Sequence, residues 1–167
     1  MTRAPFVVIG VGNPMRGDDG LGPAVVEALA TEAKATDLLA GPTGAVEFVT
    51  VGGETTELLD AWSDRRLALV VDAVRSGATA GTVHRLDADG PGLGPTWSAG
   101  VSGHGVGLVE AIGLARALDR LPERLVLLGV EVANTGFGSQ LSPVVQAAMP
   151  ELLARIRAEL ATTESNA

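Results

Sequence analysis

The chain has 167 residues, of which 46% are hydrophobic, and a formal net charge of −8 at pH 7. This length suits one domain with a sizeable core, and the hydrophobic content argues against a disordered chain. The acidic balance disfavours a nucleic-acid partner, because the sequence has no basic stripe beyond Arg65-Arg66. The lack of cysteine excludes disulfides, thiolate metal sites and a cysteine nucleophile. No apolar run reaches the roughly 18 residues of a membrane span, and the N-terminus does not resemble a signal peptide, so we expect a cytoplasmic protein without a membrane partner.

Short apolar runs alternate with helical patterns along most of the chain. The predicted elements are, in chain order, strand Phe6–Gly10, a helix from Pro23 to about Thr36, strand Val46–Val51, a short helix at about Thr56–Trp62, strands Leu67–Asp72 and Thr82–Leu86, a helix from about Val106 to Leu118, strand Arg124–Val132, and a closing helix from Ser142 or Pro143 to about Thr162. Thr82–Leu86 alternates polar and apolar residues, which indicates a more exposed strand. Pro150 interrupts the closing helix, so we expect a kink or two abutting helices there.

The order of these elements predicts the fold class. Strands that alternate with helices are joined by right-handed crossovers, which produce a parallel sheet with helices on both faces. The sequence therefore predicts an α/β fold, a three-layer α/β/α sandwich with a mostly parallel twisted sheet. We expect residues 1–162 to form a single domain and residues 163–167 to form a flexible tail.

Three polar segments follow predicted strands or precede a predicted helix. The loop IGVGNPMRGDDG contains Asp18 and Asp19, the third strand ends at Asp72 in VVDAVRSG, and His104 lies in SGHG. In an open α/β sheet, functional groups gather beyond the carboxyl ends of the strands. We therefore expect carboxylates and an imidazole to meet at one edge of the sheet.

This set of side chains favours a metal site over a nucleotide site. A dinucleotide fingerprint needs a third glycine where this chain has Met15, and Asp18 and Asp19 would repel a pyrophosphate. A P-loop is also excluded, because the sequence contains no Gly-Lys-Ser/Thr motif. Two carboxylates and an imidazole suit zinc, nickel or a similar divalent ion, and they leave a position for water or a substrate atom.

Each candidate ligand also has a purely structural interpretation. Adjacent aspartates cannot usually both point inward, so one of the pair binds while the other caps or is solvated, and a turn or N-cap role is the alternative for Asp18. Asp72 can instead hold backbone amides, and a buried carboxylate needs a partner in either case. His104 can be a plain loop histidine, although its flanking glycines allow close approach of an ion or another chain. His84, in the alternating strand, is predicted to be a surface or packing residue.

The three segments together resemble the hydrogenase maturation endopeptidases, which cleave the C-terminal tail of nickel–iron hydrogenase large subunits. GVGNPMRGDDGLGPAVVEAL resembles the opening of these proteins, VVDAVRSG their second metal-ligand segment and SGHGVGLVEAI their histidine segment. LVLLGVEV and the closing helix match in order, so the resemblance covers nearly the whole chain. It implies that Asp19, Asp72 and His104 are the metal ligands.

The resemblance also implies a metal-dependent endopeptidase. Its nickel would be supplied by the hydrogenase large-subunit precursor rather than held permanently, and zinc or cadmium can occupy the same site in vitro. The ion would polarise the scissile carbonyl or lower the pKa of a bound water. Asp18, if it points inward, or Asp72 would accept a proton. A serine acyl-enzyme is disfavoured, because the sequence has no G-x-S-x-G elbow.

The chain departs from the family at one position. Family members commonly carry an aspartate before the glycines that follow the second strand, where this chain has Thr50 or Val51. Either that aspartate is dispensable, or Glu54 substitutes, or the activity is altered. The alternatives to this function are a non-catalytic nickel chaperone or docking factor and an enzyme that processes a different precursor. The loop Asp89–Gly103 is either a partner contact region, through Trp97, or a plain connection.

Overall fold

The computed structural model describes residues 3–36, 46–90, 105–133, 136 and 138–165. Within these ranges a five-stranded sheet lies between two layers of helices, which confirms the predicted three-layer α/β architecture. The strands are β1 (Phe6–Val11), β2 (Val46–Val51), β3 (Leu67–Val74), β4 (Val83–Asp87) and β5 (Arg124–Glu131). The helices are α1 (Leu21–Thr36), α2 (Thr55–Trp62), α3 (Gly105–Ala117) and α4 (Pro143–Ser165), and a 3-10 turn at Gly17–Gly20 precedes α1.

The sheet has the order β2-β1-β3-β5-β4 and is mostly parallel, as predicted. β4 is the exception, because it pairs antiparallel with β5 at the edge. This edge position explains its alternating sequence, since an antiparallel edge strand is covered on one face only. β2 lies on one side of β1 and β3 on the other, so the strand order reverses there. The crevice at the carboxyl ends of β1 and β3 is therefore the place where such sheets bind ligands.

Alternate residues of the central strands pack into two separate apolar clusters. Val71 and Ala73 belong to the cluster that joins the sheet to α1 and α4. Val70 and Val74 belong to the cluster that joins it to α2 and α3. Because side chains alternate along a strand, Asp72 has the same orientation as Val70 and Val74. Its carboxyl group therefore points to the face covered by α2 and α3.

The first strand and the first helix pack backbone against backbone. A Cβ atom on Gly10 would lie 2.3 Å from the carbonyl oxygen of Gly22, and one on Gly22 would lie 2.4 Å from that of Val11. Glycine at both positions thus lets α1 begin directly against the end of β1. The Gly17–Gly20 turn ahead of α1 also contacts β3, so the loop after β1 reaches the crevice between β1 and β3.

The observed elements differ from the predicted ones mainly at their ends. β3 runs to Val74, and α4 is one continuous helix that includes Pro150 and ends at Ser165. The alternative of two abutting helices was therefore wrong, the expected end at about Thr162 was three residues short, and the kink at Pro150 stays a prediction. Pro150 is exposed, so water can bind the Gln146 carbonyl that loses its helical hydrogen bond. None of the helices in the described ranges is long and apolar enough to cross a membrane. The predicted contact loop lies almost wholly outside these ranges.

Candidate active site

The two adjacent aspartates of the first loop are both buried but have different partners. Asp18 accepts hydrogen bonds from the Ala133 amide (3.2 Å), the Ser142 amide (2.6 Å) and the Ser142 hydroxyl (2.9 Å). The Oδ2 atom of Asp19 accepts one from the Asn13 amide at 3.0 Å. Both residues lie on the 3-10 turn, in which successive side chains are about 120° apart. The two aspartate side chains therefore point in different directions.

Asp18 belongs to a set of contacts that joins the loop after β1 to the segment between β5 and α4. Gly138 forms a β-bridge with Arg16. Its carbonyl oxygen accepts a hydrogen bond from the Gly17 amide at 2.7 Å, and its own amide donates to the Met15 carbonyl at 3.1 Å. The sequence suggested a local turn or cap for Asp18, whereas the structure has it holding a distant segment. No local signal marks such a contact, because its two sides lie at opposite ends of the chain.

Asp72 is fully buried near the end of β3. Its Oδ1 atom accepts a hydrogen bond from the Ala73 amide at 2.8 Å, but its Oδ2 atom has no hydrogen-bond partner among the described residues. Burial raises the pKa of Asp72 well above its usual range, the Ala73 amide opposes this rise, and the charge of Asp19 adds to it. The two carboxylates are therefore close enough to interact. A buried carboxyl oxygen without a donor is unfavourable unless the group holds a proton or lies near a cation. The donor chemistry therefore fits a divalent ion.

His104 lies outside the described residues, and the set of Asp19, Asp72 and His104 stays a prediction. α3 begins at the next residue and belongs to the layer on the face to which Asp72 points. A Cβ atom on Gly107 would lie 2.3 Å from the carbonyl oxygen of Gly53, so the first turn of α3 packs directly on the glycine pair after β2. Within the described ranges, no group of three or more His, Cys, Asp or Glu side chains could hold a metal ion.

A second polar cluster at the end of β5 was missed by the sequence analysis. Glu131 is buried and accepts hydrogen bonds from the Ser76 amide and hydroxyl, both at 2.8 Å, and from the Gly77 amide at 3.0 Å. Its Oε2 atom lies 3.1 Å from Nε2 of His84, which the sequence assigned to the surface or to packing. Burial alone would raise the pKa of Glu131, but the hydrogen bonds outweigh this effect and lower the pKa. Glu131 thus fixes the chain where it leaves β3, shortly after Asp72.

At the end of β2, where the resemblance leads one to expect an aspartate at Thr50 or Val51, the residue that faces the interior is apolar. Val51 is buried in the cluster formed with α2 and α3, whereas Thr50 is exposed. Glu54, the suggested substitute, is exposed ahead of α2, and its side chain makes no capping hydrogen bond. The inward-facing residue at the end of β2 is therefore valine.

Comparison with known proteins identifies the family. The profile of the HycI hydrogenase maturation proteases matches residues 23–159. The chain belongs to the hydrogenase maturation protease family. It is 30% identical over 157 residues to the hydrogenase 2 maturation protease of Escherichia coli K12, which covers 93% of this chain and 90% of that protein.

Solved structures of such proteases have the same fold. The hydrogenase maturating endopeptidase HybD from E. coli superposes with a TM-score of 0.73 at 25% identity, over 95% of this chain and 93% of that one. An endopeptidase from E. coli, solved in solution, gives a TM-score of 0.77 at 25% identity with the same coverage. The resemblance inferred from the sequence motifs is thereby confirmed, and the protein is a hydrolase of the protease class.

The Asp72→Asn variant tests the burial of this carboxylate. We expect it to stabilise the metal-free protease at neutral pH by about 1–3 kcal/mol, because it removes a buried charge that lacks a donor and is repelled by Asp19. The raised pKa of Asp72 means that the folded state holds this proton more tightly than the unfolded chain does. Wild-type stability should therefore fall as the pH rises from the unfolded pKa to the folded pKa, and the advantage of the amide should grow over the same range.

Urea unfolding in the presence of a chelator, repeated across this pH range, measures the difference. Asp60→Asn is the control, because Asp60 is an aspartate with a 74% exposed side chain. A variant Asp72→Asn that is less stable than the wild type at neutral pH would contradict the interpretation.

The Glu131→Gln variant tests the second polar cluster. We expect a loss of about 1–3 kcal/mol at neutral pH, because hydrogen bonds from the Ser76 and Gly77 amides would then meet a neutral amide oxygen or an amide nitrogen. The lowered pKa of Glu131 gives the sign of the pH effect. Its contribution is present above the unfolded pKa, about 4.3, and is lost as the pH falls through the folded pKa.

Unfolding curves for the wild type and Glu131→Gln should therefore converge in acid. Glu151→Gln provides the comparison, since Glu151 forms an exposed i,i+4 pair with Arg155 and should change stability by only about 0.3–0.5 kcal/mol. A destabilisation by Glu131→Gln that is the same at every pH would show that the charge of Glu131 is not what holds the turn.

Proposed function

We propose that this protease removes the C-terminal tail of a nickel–iron hydrogenase large-subunit precursor after nickel has been inserted. The three ordered sequence segments support this reading, and the names of the relatives connect them with hydrogenase maturation. The observation that carries the proposal is the Asp72 carboxylate. It is fully buried beside a second acid, and its Oδ2 atom has no partner among the described residues.

Nickel is part of the substrate in this proposal rather than a resident cofactor. Asp19, Asp72 and His104 would bind it from one side and cysteines of the precursor from the other, which suits a chain that has no cysteine. Held there, the ion would polarise the scissile carbonyl or lower the pKa of a water molecule. Zinc or cadmium would be accepted by the same ligands in vitro.

The buried acids give a physical reason for a nickel check. Without a cation, the ionised forms of Asp19 and Asp72 repel each other while both side chains are buried, which is unfavourable. A precursor that brings a divalent ion relieves this repulsion, whereas an empty precursor does not. The protease would therefore bind the loaded precursor in preference to the empty one.

The contacts of Asp18 support a positioning role rather than proton transfer. Its carboxylate accepts hydrogen bonds from Ala133 and Ser142, and these hold the turn that also carries Asp19. Of the two proposed proton acceptors, this leaves Asp72. Asp72 would accept a proton from the attacking water and would then pass it to the leaving amine, so that it returns to its starting state.

One observation favours a second candidate function, a docking factor that binds the loaded precursor without cutting it. Val51, one of the two residues at which family members commonly have an aspartate, is buried and apolar, and Thr50, the other, carries no acid either. If that aspartate is needed for cleavage, the chain would keep its affinity for nickel and lose its protease activity.

Cleavage of a large-subunit precursor from the same source, with and without nickel, tests the proposal. Intact-mass spectrometry should show loss of the C-terminal tail only from the loaded precursor. We expect Asp19→Ala and His104→Ala to slow cleavage by about 100-fold or more, because each removes a ligand. His84→Gln is the matched control, since the chain has only two histidines and His84 lies in the Glu131 cluster.

Two outcomes would contradict the proposal. Equal cleavage of empty and loaded precursor would show that the protease does not distinguish them by nickel. Full activity of Asp19→Ala or His104→Ala would show that the altered residue is not a required metal ligand. Tight binding of the loaded precursor with an unchanged mass would favour the docking factor. In that case an aspartate at one of the two candidate positions, Thr50→Asp or Val51→Asp, should restore cleavage.

A further inference from the structure

The loop after β1 presents two exposed side chains, Met15 and Arg16, next to the buried acids. We refer to this pair as the loop tip. Met15 is 63% exposed, more than any other large hydrophobic residue that the structure describes. Arg16 is exposed as well, and within the described ranges its guanidinium has no hydrogen bond or ion pair. The loop tip therefore presents an apolar side chain and a cation side by side to solvent.

Arg16 differs in this respect from the other arginines. Each of them has a hydrogen-bond, ion-pair or electrostatic partner within the chain. Most of these partners are carboxylates, as with Arg85 and Glu159 or Arg157 and Glu32. The chain is acidic, with a net charge of −8, so carboxylates are plentiful. Arg16, which has no such carboxylate in the part of the chain that the structure describes, is therefore available to a partner molecule.

The backbone of the loop tip is held firmly although its side chains are exposed. The Met15 amide donates to Oδ1 of Asn13 at 2.9 Å, and the Arg16 amide donates to the Asn13 carbonyl at 3.1 Å. The Arg16 carbonyl accepts from the Asp19 amide at 3.1 Å, and Gly138 bridges the tip from the other side. A partner that contacts this tip would not have to order its backbone, which lowers the entropic cost of binding.

A small cleft of about 140 Å³ adjoins the loop tip. It lies between the first loop, the first turns of α1 and the segment before α4. Its lining is mixed, with the apolar Pro14, Pro23, Ala24 and Leu141 beside the polar Glu27 and Ser139. An apolar side chain that packs on Met15 thus finds further apolar surface next to it.

We propose that the loop tip is a contact site for the precursor, in which Met15 packs on an apolar side chain and Arg16 pairs with a carboxylate. This inference rests on the proposed function. The carboxylate follows from charge complementarity, since an unpaired guanidinium binds a carboxylate through two parallel hydrogen bonds. Methionine and arginine are also enriched at protein interfaces. The contact would set the precursor beside Asp19, the residue whose amide is bonded to Arg16.

Steady-state cleavage of the nickel-loaded precursor tests this contact. Arg16→Gln and Met15→Ala should each raise KM about tenfold and leave kcat within about twofold, because they remove binding rather than chemistry. The KM of the wild type should rise with salt, and that of Arg16→Gln should depend on salt less. Arg120→Gln and Leu118→Ala are the matched controls, since both side chains are exposed and lie on or beside the C-terminal end of α3.

Charge exchange identifies the partner group. Arg16→Glu should weaken binding more than Arg16→Gln, and the acidic residues of the precursor can be changed to lysine one at a time. One of these lysine substitutions in the precursor should lower the KM of the Arg16→Glu protease to the wild-type value. The same substitution should raise the KM of the wild-type protease. Failure of every exchange to restore binding would exclude a carboxylate partner.

Zinc binding to the protease alone separates the loop tip from the metal ligands. Arg16→Gln should bind zinc as the wild type does. A weakened zinc affinity, or a lower kcat at unchanged KM, would mean that Arg16 positions Asp19 and would overturn the proposal. The proposal would also be overturned if Arg16→Gln had the same KM, and the same dependence of KM on salt, as the wild type. A wild-type protein that neither binds nor cuts the loaded precursor is a different result, because it removes the proposed function and the loop-tip contact together.

Discussion

Two acids buried beside each other at the crevice between β1 and β3 are the constraint around which this protein is organised. Asp72 is fully buried, Asp19 is 2% exposed, and the charge of Asp19 helps to raise the pKa of Asp72. Such an arrangement opposes folding unless a cation or a proton is present. The surrounding structure must therefore hold it in place, and the chain gives up stability for a site that becomes favourable when a metal ion arrives.

The same fold uses other buried carboxylates to fix its loops. Asp18 and Glu131 each accept several hydrogen bonds, Asp18 from the segment before α4 and Glu131 from the turn after β3. The turn follows β3, which flanks the crevice, and the segment follows β5, which lies next to β3 in the sheet. The acids with amide and hydroxyl donors thus act as structural anchors, and Asp72, whose Oδ2 atom lacks a donor in the described part of the chain, is set apart from them.

Local sequence patterns were sufficient to predict the architecture. The features that they did not predict depend on contacts between segments that are far apart in the chain. Continuous apolar runs identified the buried strands, and the reversal of strand order at β1 explains why the aspartate segments meet. The resemblance, rather than the spacing, selected Asp19 within its pair. The partners of Asp18 and Glu131 could not be predicted, because hydrogen bonds to Ser142 and Ser76 join segments far apart in the chain. The continuity of α4 through Pro150 could not be predicted, because the exposure that makes this proline tolerable is a property of the folded state.

The central claim is that Asp19 and Asp72 complete the coordination of nickel carried by the precursor. X-ray absorption at the nickel edge addresses it most directly, with the loaded precursor measured alone and in complex with the protease. We expect additional oxygen or nitrogen neighbours of nickel in the complex, and fewer of them when the protease carries Asp19→Ala. A nickel spectrum that is the same with and without bound protease, in a complex that still goes on to lose its tail, would contradict the account.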